Sequence, residues 1–262
     1  MIDFCPPLPP RPLALSFPLL KGHGEAVKLL LKDMKHRKHE AVNAANMDKD
    51  TPLHWVASEG HVAVVKILLE EGADVNANNK DMNTPLLVAC AEGHVEVVKL
   101  LLASGANVQM YNKDHWSAVH WACASGRQEV MKQLLLNGGN PHAKTKKGET
   151  PLHFAAAKGD HIMVKILAAL GVDLQVANVE GNQALQLAAE AGFAEVVKVL
   201  LDKGVDKNAA NNARSTGTIS QKYIKNVIGS GQKRGQQMSA LPVPILKNTL
   251  YSDFYIVNVP DN

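Results

Sequence analysis

Aromatic residues are scarce in this chain of 262 residues, where Phe, Tyr and Trp together make up 5%. A core has to be built from Ala, Leu and Val instead, which suits a thin layer of packing. Cysteine is nearly missing: Cys5, Cys90 and Cys123 are too few for a disulfide scaffold and fit a reducing compartment. No unbroken apolar run approaches the roughly 18 residues that span a bilayer, so membrane insertion is not expected. The net charge of +3 comes from residues 214–262, whose six Lys or Arg and two Asp give +4 and leave residues 1–213 at −1. A body so close to neutral lacks the basic face that a phosphate backbone requires, and no nucleic-acid partner is expected. The apolar stretch Pro12–Leu20 contains Pro12 and Pro18, follows Asp3 and a single Arg, and has no small-residue cleavage site. It does not read as a secretory signal, so the protein is expected inside the cell, in the cytoplasm, with the nucleus as the alternative.

Signatures of catalysis are missing as well. There is no G-x-S-x-G, no glycine-rich phosphate loop opening a helix and no H-E-x-x-H. The reading is therefore non-enzymatic, with no cofactor and no metal. What the chain does have is globular composition, 46% apolar and 20% charged, and a strict internal period.

The segments Thr51-Pro-Leu-His, Thr84-Pro-Leu-Leu, Ser117-Ala-Val-His, Thr150-Pro-Leu-His and Gln183-Ala-Leu-Gln begin 33 residues apart. Gly60, Gly93, Gly126, Gly159 and Gly192 keep the same step, as do Gly72, Gly105, Gly138, Gly171 and Gly204. Asn46, Asn79, Asn112, Asn178 and Asn211 follow it too, with Thr145 in the gap. Within one unit, Thr51 suits an N-cap and Pro52 the first helical position, where its missing N–H costs nothing. A helix over Pro52–Ser58 should end at Gly60 in the left-handed conformation. A second helix over Val62–Glu70 sets Val64, Val65, Leu68 and Leu69 on one apolar side. Leu68, Leu101 and Leu135 are expected to share that buried position.

The motif Thr-Pro-Leu-His-x-x-Ala-x-x-Gly-His-x-x-Val-Val-x-x-Leu-Leu-x-x-Gly-Ala-x-Val-Asn over Thr51–Asn76 closely resembles the ankyrin repeat. The resemblance implies an all-α solenoid of stacked antiparallel helix pairs joined by β-turn connections. The expected layout is an irregular Pro-rich segment at 1–21, a repeat domain at 22–213 (a degenerate first repeat and five regular units) and a flexible basic tail at 214–262. Gly22 lies 38 residues before Gly60, so five extra residues fall within Lys32–Glu40, which is expected to be a solvated basic loop. Pro18 should interrupt any helix before Gly22. Where the family prefers Gly in the turn, this chain has Lys49, Met82 and His115, and only Gly148 and Gly181 conform. A positive φ at each of the three would cost on the order of 1 kcal/mol.

Eleven histidines raise the question of a metal. His54, His120 and His153 are expected at one repeat position, and His61, His94 and His161 at another. Equivalent positions in stacked repeats are about 10 Å apart, one helix spacing, too far to share a zinc bound at about 2 Å from each nitrogen. The resemblance implies that such histidines bond nearby backbone. Cys90 and Cys123 take a small-residue helix position one repeat apart, beyond the roughly 7 Å limit for a disulfide, and should be buried and inert.

The resemblance also implies a concave face lined by turns and first helices, free of core duty. Its positions include Lys80, Asp81 and Asn83, then Tyr111, Lys113, Asp114 and Trp116, then Lys144, Lys146, Lys147 and Glu149. Trp55, Trp121 and Phe154 share another position and are expected inside, whereas Trp116, one residue before the Ser117 cap, is expected to be exposed. Trp116 beside Tyr111, ringed by lysines, has the composition of a binding hot spot for a protein with an acidic patch. The alternative for Trp116 is packing across the next turn. The alternative function is a substrate-recruiting or regulatory subunit, or a fragment of a larger protein, whose activity lies outside the repeats. Finally, Leu68-x5-Asp74-Val75-Asn76 resembles the sequence that asparaginyl hydroxylases acting on ankyrin repeats accept, which makes Asn76 a candidate for modification or else a purely structural residue.

Overall fold

A computed structural model of the chain describes residues 22–34 and 37–207. The expected Pro-rich start, the tail, Cys5 and His36 lie outside the described residues. Every regular element among the described residues is a helix, and the helices come in pairs. The first pair is α1 (Gly24–Asp33) and α2 (Lys38–Val42). Five regular pairs follow: α3 (Pro52–Glu59) with α4 (Val62–Glu70), α5 (Pro85–Glu92) with α6 (Val95–Ala103), α7 (Ala118–Ser125) with α8 (Gln128–Leu136), α9 (Pro151–Lys158) with α10 (His161–Ala169), and α11 (Ala184–Ala191) with α12 (Ala194–Asp202). In the five regular units each first helix packs on the first helix of the next, α3 on α5, α5 on α7, α7 on α9 and α9 on α11, whereas α1 packs on the second helix α4.

The caps explain where these helices begin and stop. Thr51, Ser117, Thr150 and Gln183 each close a capping box with the residue three places on, and Thr84 accepts from the Leu87 N–H at 3.3 Å. Such caps are typically worth about 1 kcal/mol each. The first helices end at Gly60, Gly93, Gly126, Gly159 and Gly192 with φ between 67° and 85°, which only glycine adopts without strain. The glycine has a second reason at three of these sites. A Cβ on Gly60 would enter the His94 ring, one on Gly93 the Arg127 side chain, and one on Gly159 the Phe193 ring.

The core is a column between the helix layers. Val64, Val65 and Leu68, then Val97, Val98 and Leu101, then Val130, Met131 and Leu134 are fully buried on successive second helices. The repeating leucine is Leu134, not Leu135, which is half-buried, and on α4 the fourth buried position is Ile67 rather than Leu69. Ala57, Cys90, Cys123, Ala156 and Ala189 fill one small slot on the first helices and let them approach closely. Burial pushes both thiols up from their ordinary range, so they stay protonated and unreactive at neutral pH.

The segment expected as a basic loop is partly helical. α1 runs on to Asp33 and Lys38–Val42 forms α2. Val42 drives this, being fully buried, while Lys38 pairs with Glu71 of the next unit at 3.0 Å. Lys49, Met82 and His115 do take positive φ, at 62°, 60° and 62°. Asn46, Asn79 and Asn112 offset that strain, each accepting two backbone N–H bonds of its own turn at 2.8–3.0 Å.

Candidate functional site: the turn and first-helix face

Successive turns are joined by one backbone hydrogen bond each. The N–H of Lys80 donates to Asp48 O at 2.8 Å, Lys113 to Asp81 at 2.9 Å, Lys146 to Asp114 at 3.0 Å and Val179 to Lys147 at 2.9 Å. The side chains repeat this step at first. Lys80 pairs with Asp48 at 3.0 Å and Lys113 with Asp81 at 3.4 Å. Lys80, Asp81 and Lys113 are thus committed to neighbouring turns, although exposed pairs of this kind hold only weakly. The pattern then stops. Lys144, Lys146 and Lys147 are exposed and form no ion pair among the described residues, and Lys147 stands where the earlier turns have Asp48, Asp81 and Asp114. Asp114 is likewise exposed. Glu149 is half-buried and its carboxylate accepts from the Thr145 hydroxyl at 3.3 Å. Desolvation pushes the Glu149 carboxyl up, and Lys147 and the Thr145 bond pull it partly back.

Trp116 corrects the expectation of an exposed anchor. It is only 9% exposed, with its ring between Trp121 (centroids 4.6 Å apart) and Phe154 (4.3 Å). The last turn residue leans along the stack and is sealed by the first helices of its own and the next unit. Tyr111 does not join it. Tyr111 is 48% exposed and lies against the His115 ring at 4.5 Å. Asn83, expected at the surface, is buried at the equivalent position.

The reverse correction applies to Trp55, Trp121 and Phe154. Trp55 is 38% exposed, while Trp121 and Phe154 are half-buried, with one edge on the core. With Val88 and Leu187, both also half-buried, they form a stripe of apolar residues 33 positions apart along the stacked first helices. Sequence reasoning missed the stripe because it took apolar recurrence to mean core. Apolar recurrence alone does not separate this position from the buried leucine position, which is also apolar in all five units.

The histidines bond backbone, as the resemblance implied. The Nδ1 atoms of His54, His120 and His153 accept the N–H of the capping residue at 3.1 Å. The proton therefore sits on Nε2, which donates forward to the Asn83 carbonyl at 2.9 Å, to the Ala143 and Glu149 carbonyls at 3.1 and 3.3 Å, and to the Asn182 carbonyl at 3.0 Å. Burial lowers all three pKa values, that of His120 to about 4, and a ring fixed at both nitrogens is not free for a metal. The second histidine position is corrected: His61 and His94 are N-caps, but their counterpart is Asp160, and His161 begins α10. Asn76 bridges two units, its Oδ1 accepting from the Asn107 N–H at 2.8 Å and its Nδ2 donating to Gly105 O at 3.3 Å. Among the described residues no helix is long and apolar enough to cross a membrane.

A model of ankyrin repeats matches residues 13–79, 77–145 and 119–211. Among solved structures, the crystal structure of the human ASB11 ankyrin repeat domain is similar, with 27% identity and a TM-score of 0.72, over 86% of this chain and 99% of that one. No curated protein sequence gives a significant match.

Proposed function

Because the chain belongs to the ankyrin-repeat family, whose repeats generally serve as protein-interaction modules, we propose that it is a non-catalytic binder that holds a protein partner across its turn and first-helix face. The observation that carries this reading is the stripe of Trp55, Val88, Trp121, Phe154 and Leu187, apolar in every unit yet never sealed. A continuous, partly exposed apolar column on a rigid support is the kind of surface that interaction sites use. The face is preformed by caps and inter-turn bonds, so a partner that docks on it loses little to ordering the binder. Trp121 and Phe154 replace Trp116 as anchors, and Trp116 is the floor that holds them apart. Tyr111, Lys113, Asp114, Lys144, Lys146, Lys147 and Glu149 form the rim, with Lys80 and Asp81 further along it.

The test is capture from cell lysate on the full chain and on a Trp55→Glu/Leu187→Glu variant, with circular dichroism showing that both are folded. Proteins retained by the first and lost by the second support the face. The same set on both overturns it. Asn76 is a separate proposal, as a site for an asparaginyl hydroxylase. Its two bonds to the next unit mean the enzyme must first open that connection, and an unshifted mass for the Asn76 peptide after incubation with such an enzyme ends the idea.

A further inference from the structure

The turn ladder is neutral along part of its length and basic at one step. Asp48 and Asp81 each lie opposite a lysine of the following turn. At the next step Lys146 has no ion pair among the described residues, and in its own turn Lys147 replaces the aspartate while Lys144 adds a third cation. Three lysines within four residues of one turn, without an ion pair among the described residues, repel one another, and packing does not require them, since all three are exposed. They sit in the unit that also supplies Phe154, whose ring lies 4.3 Å from Trp116. The basic step and the densest aromatic part of the stripe therefore belong to the same pair of units.

We propose that the partner's contact segment is a short acidic peptide with an apolar anchor, the anchor resting on Trp121 and Phe154 and its carboxylates reaching Lys144, Lys146 and Lys147. This rests on the function proposed above and names the chemistry of what binds there. The cations are all lysines, compact point charges that attract local anions without demanding a planar bidentate partner, and carboxylates are the anions that an unmodified peptide carries. A nucleic acid would need a cationic track along the strand. Here the neighbouring lysines are already paired, and Glu92, Asp114, Glu149, Glu180 and Glu190 share the turn and first-helix side. The negative charge of the partner must be local.

The experiment selects binders from a random-peptide library displayed on phage, against the full-length chain. Selected peptides are then titrated against wild type, Lys146→Glu/Lys147→Asp, Phe154→Ser and Leu187→Glu, with circular dichroism melts for each. Lys147→Asp restores the residue type of the earlier turns, and Leu187→Glu backs up Phe154→Ser should the latter unfold. The expected result is enrichment of Asp and Glu beside an aromatic or aliphatic residue. The lysine variant should then lose about tenfold or more in affinity, chiefly at low salt, and the stripe variants should lose binding too. Peptides without acidic enrichment, or acidic ones that bind the lysine variant unchanged, overturn the acidic assignment, while their loss on the stripe variants leaves the binding face standing. Peptides indifferent to the stripe variants, or an empty selection, overturn both. Single-stranded oligo(dT) or oligo(U) competing as well as the selected peptides overturns the peptide in favour of nucleic acid.

Discussion

Leu68, Leu101, Leu134, Leu167 and Leu200 form one column of apolar side chains 33 residues apart, and Trp55, Val88, Trp121, Phe154 and Leu187 form another. The leucine column is fully buried, whereas the aromatic-rich column is exposed at Trp55 and half-buried at Val88, Trp121, Phe154 and Leu187. Periodicity is identical in the two, so periodicity alone does not decide burial. What decides it is how many neighbours close over the side chain. The leucines lie within the packed helix layers, whereas the stripe residues are only partly covered, Trp121 and Phe154 by the Trp116 ring. Trp116 shows the same rule from the other direction, since a turn residue is sealed when two aromatic neighbours lean over it.

The sharpest way to break this contrast is to truncate one member of the sealed column. Leu101→Ala should cost about 2–5 kcal/mol through the cavity it leaves, and because repeats couple to their neighbours, the melt should also lose cooperativity. A variant that melts like wild type in thermal and urea unfolding would contradict the stacked core. Next in size is Trp116→Ala, at about 3 kcal/mol, for a buried aromatic between two rings. Its effect should appear as a lowered Tm, whereas Trp55→Ala, on the open stripe, should shift Tm far less. Equal shifts would erase the distinction between the columns.

A pH series sharpens the contrast on the polar side. The folded pKa of His120 is lowered from 6.5 to about 4 by burial, so its neutral ring contributes stability that is complete above the unfolded value and is lost as pH falls from about 6.5 towards 4. At pH 4 the loss from His120 is about 3 kcal/mol, and His54 and His153, lowered in the same direction, add to it. Glu149 and Glu190 are raised by burial and act oppositely, stabilising below the ordinary carboxylate value and losing that as pH rises. His120→Gln keeps a capping box, as Gln186 does with Gln183, but cannot titrate. Urea unfolding at neutral and acidic pH should show a shallower acid loss for this variant, and an unchanged pH profile would remove the histidine from the account. The smallest effect is His115→Gly, which should stabilise by up to about 1 kcal/mol by relieving a positive φ, less the flexibility glycine adds to the unfolded chain. A fall in Tm would mean that the Tyr111–His115 ring contact outweighs the backbone strain.

Helix starts and stops were legible in the sequence because local groups set them. Thr51, Pro52 and Gly60 act within a few residues of one another, and α4 begins and ends where its apolar spacing predicted. The candidate face was less legible, because its geometry depends on neighbours a whole unit away. Trp116 is buried by Phe154, and Lys80 is neutralised by Asp48, 32 positions earlier. Neither partner falls within the window that helical spacing surveys. The short helix Lys38–Val42 was hidden for a different reason: it lies in the one stretch out of step with the repeat, where register offers no guide.

The forward reach of the histidines carries a consequence for how the chain can change length. His54, His120 and His153 each grip a carbonyl 29 residues ahead, so each span is metered, and one residue gained or lost inside it would slide the carbonyl off the ring nitrogen. Removing a whole unit leaves every such grip in place. The five surplus residues of Lys32–Glu40 lie upstream of His54, where no histidine grip spans them. Within the spans 54–83, 120–149 and 153–182 a change of length is therefore accommodated only as a whole unit.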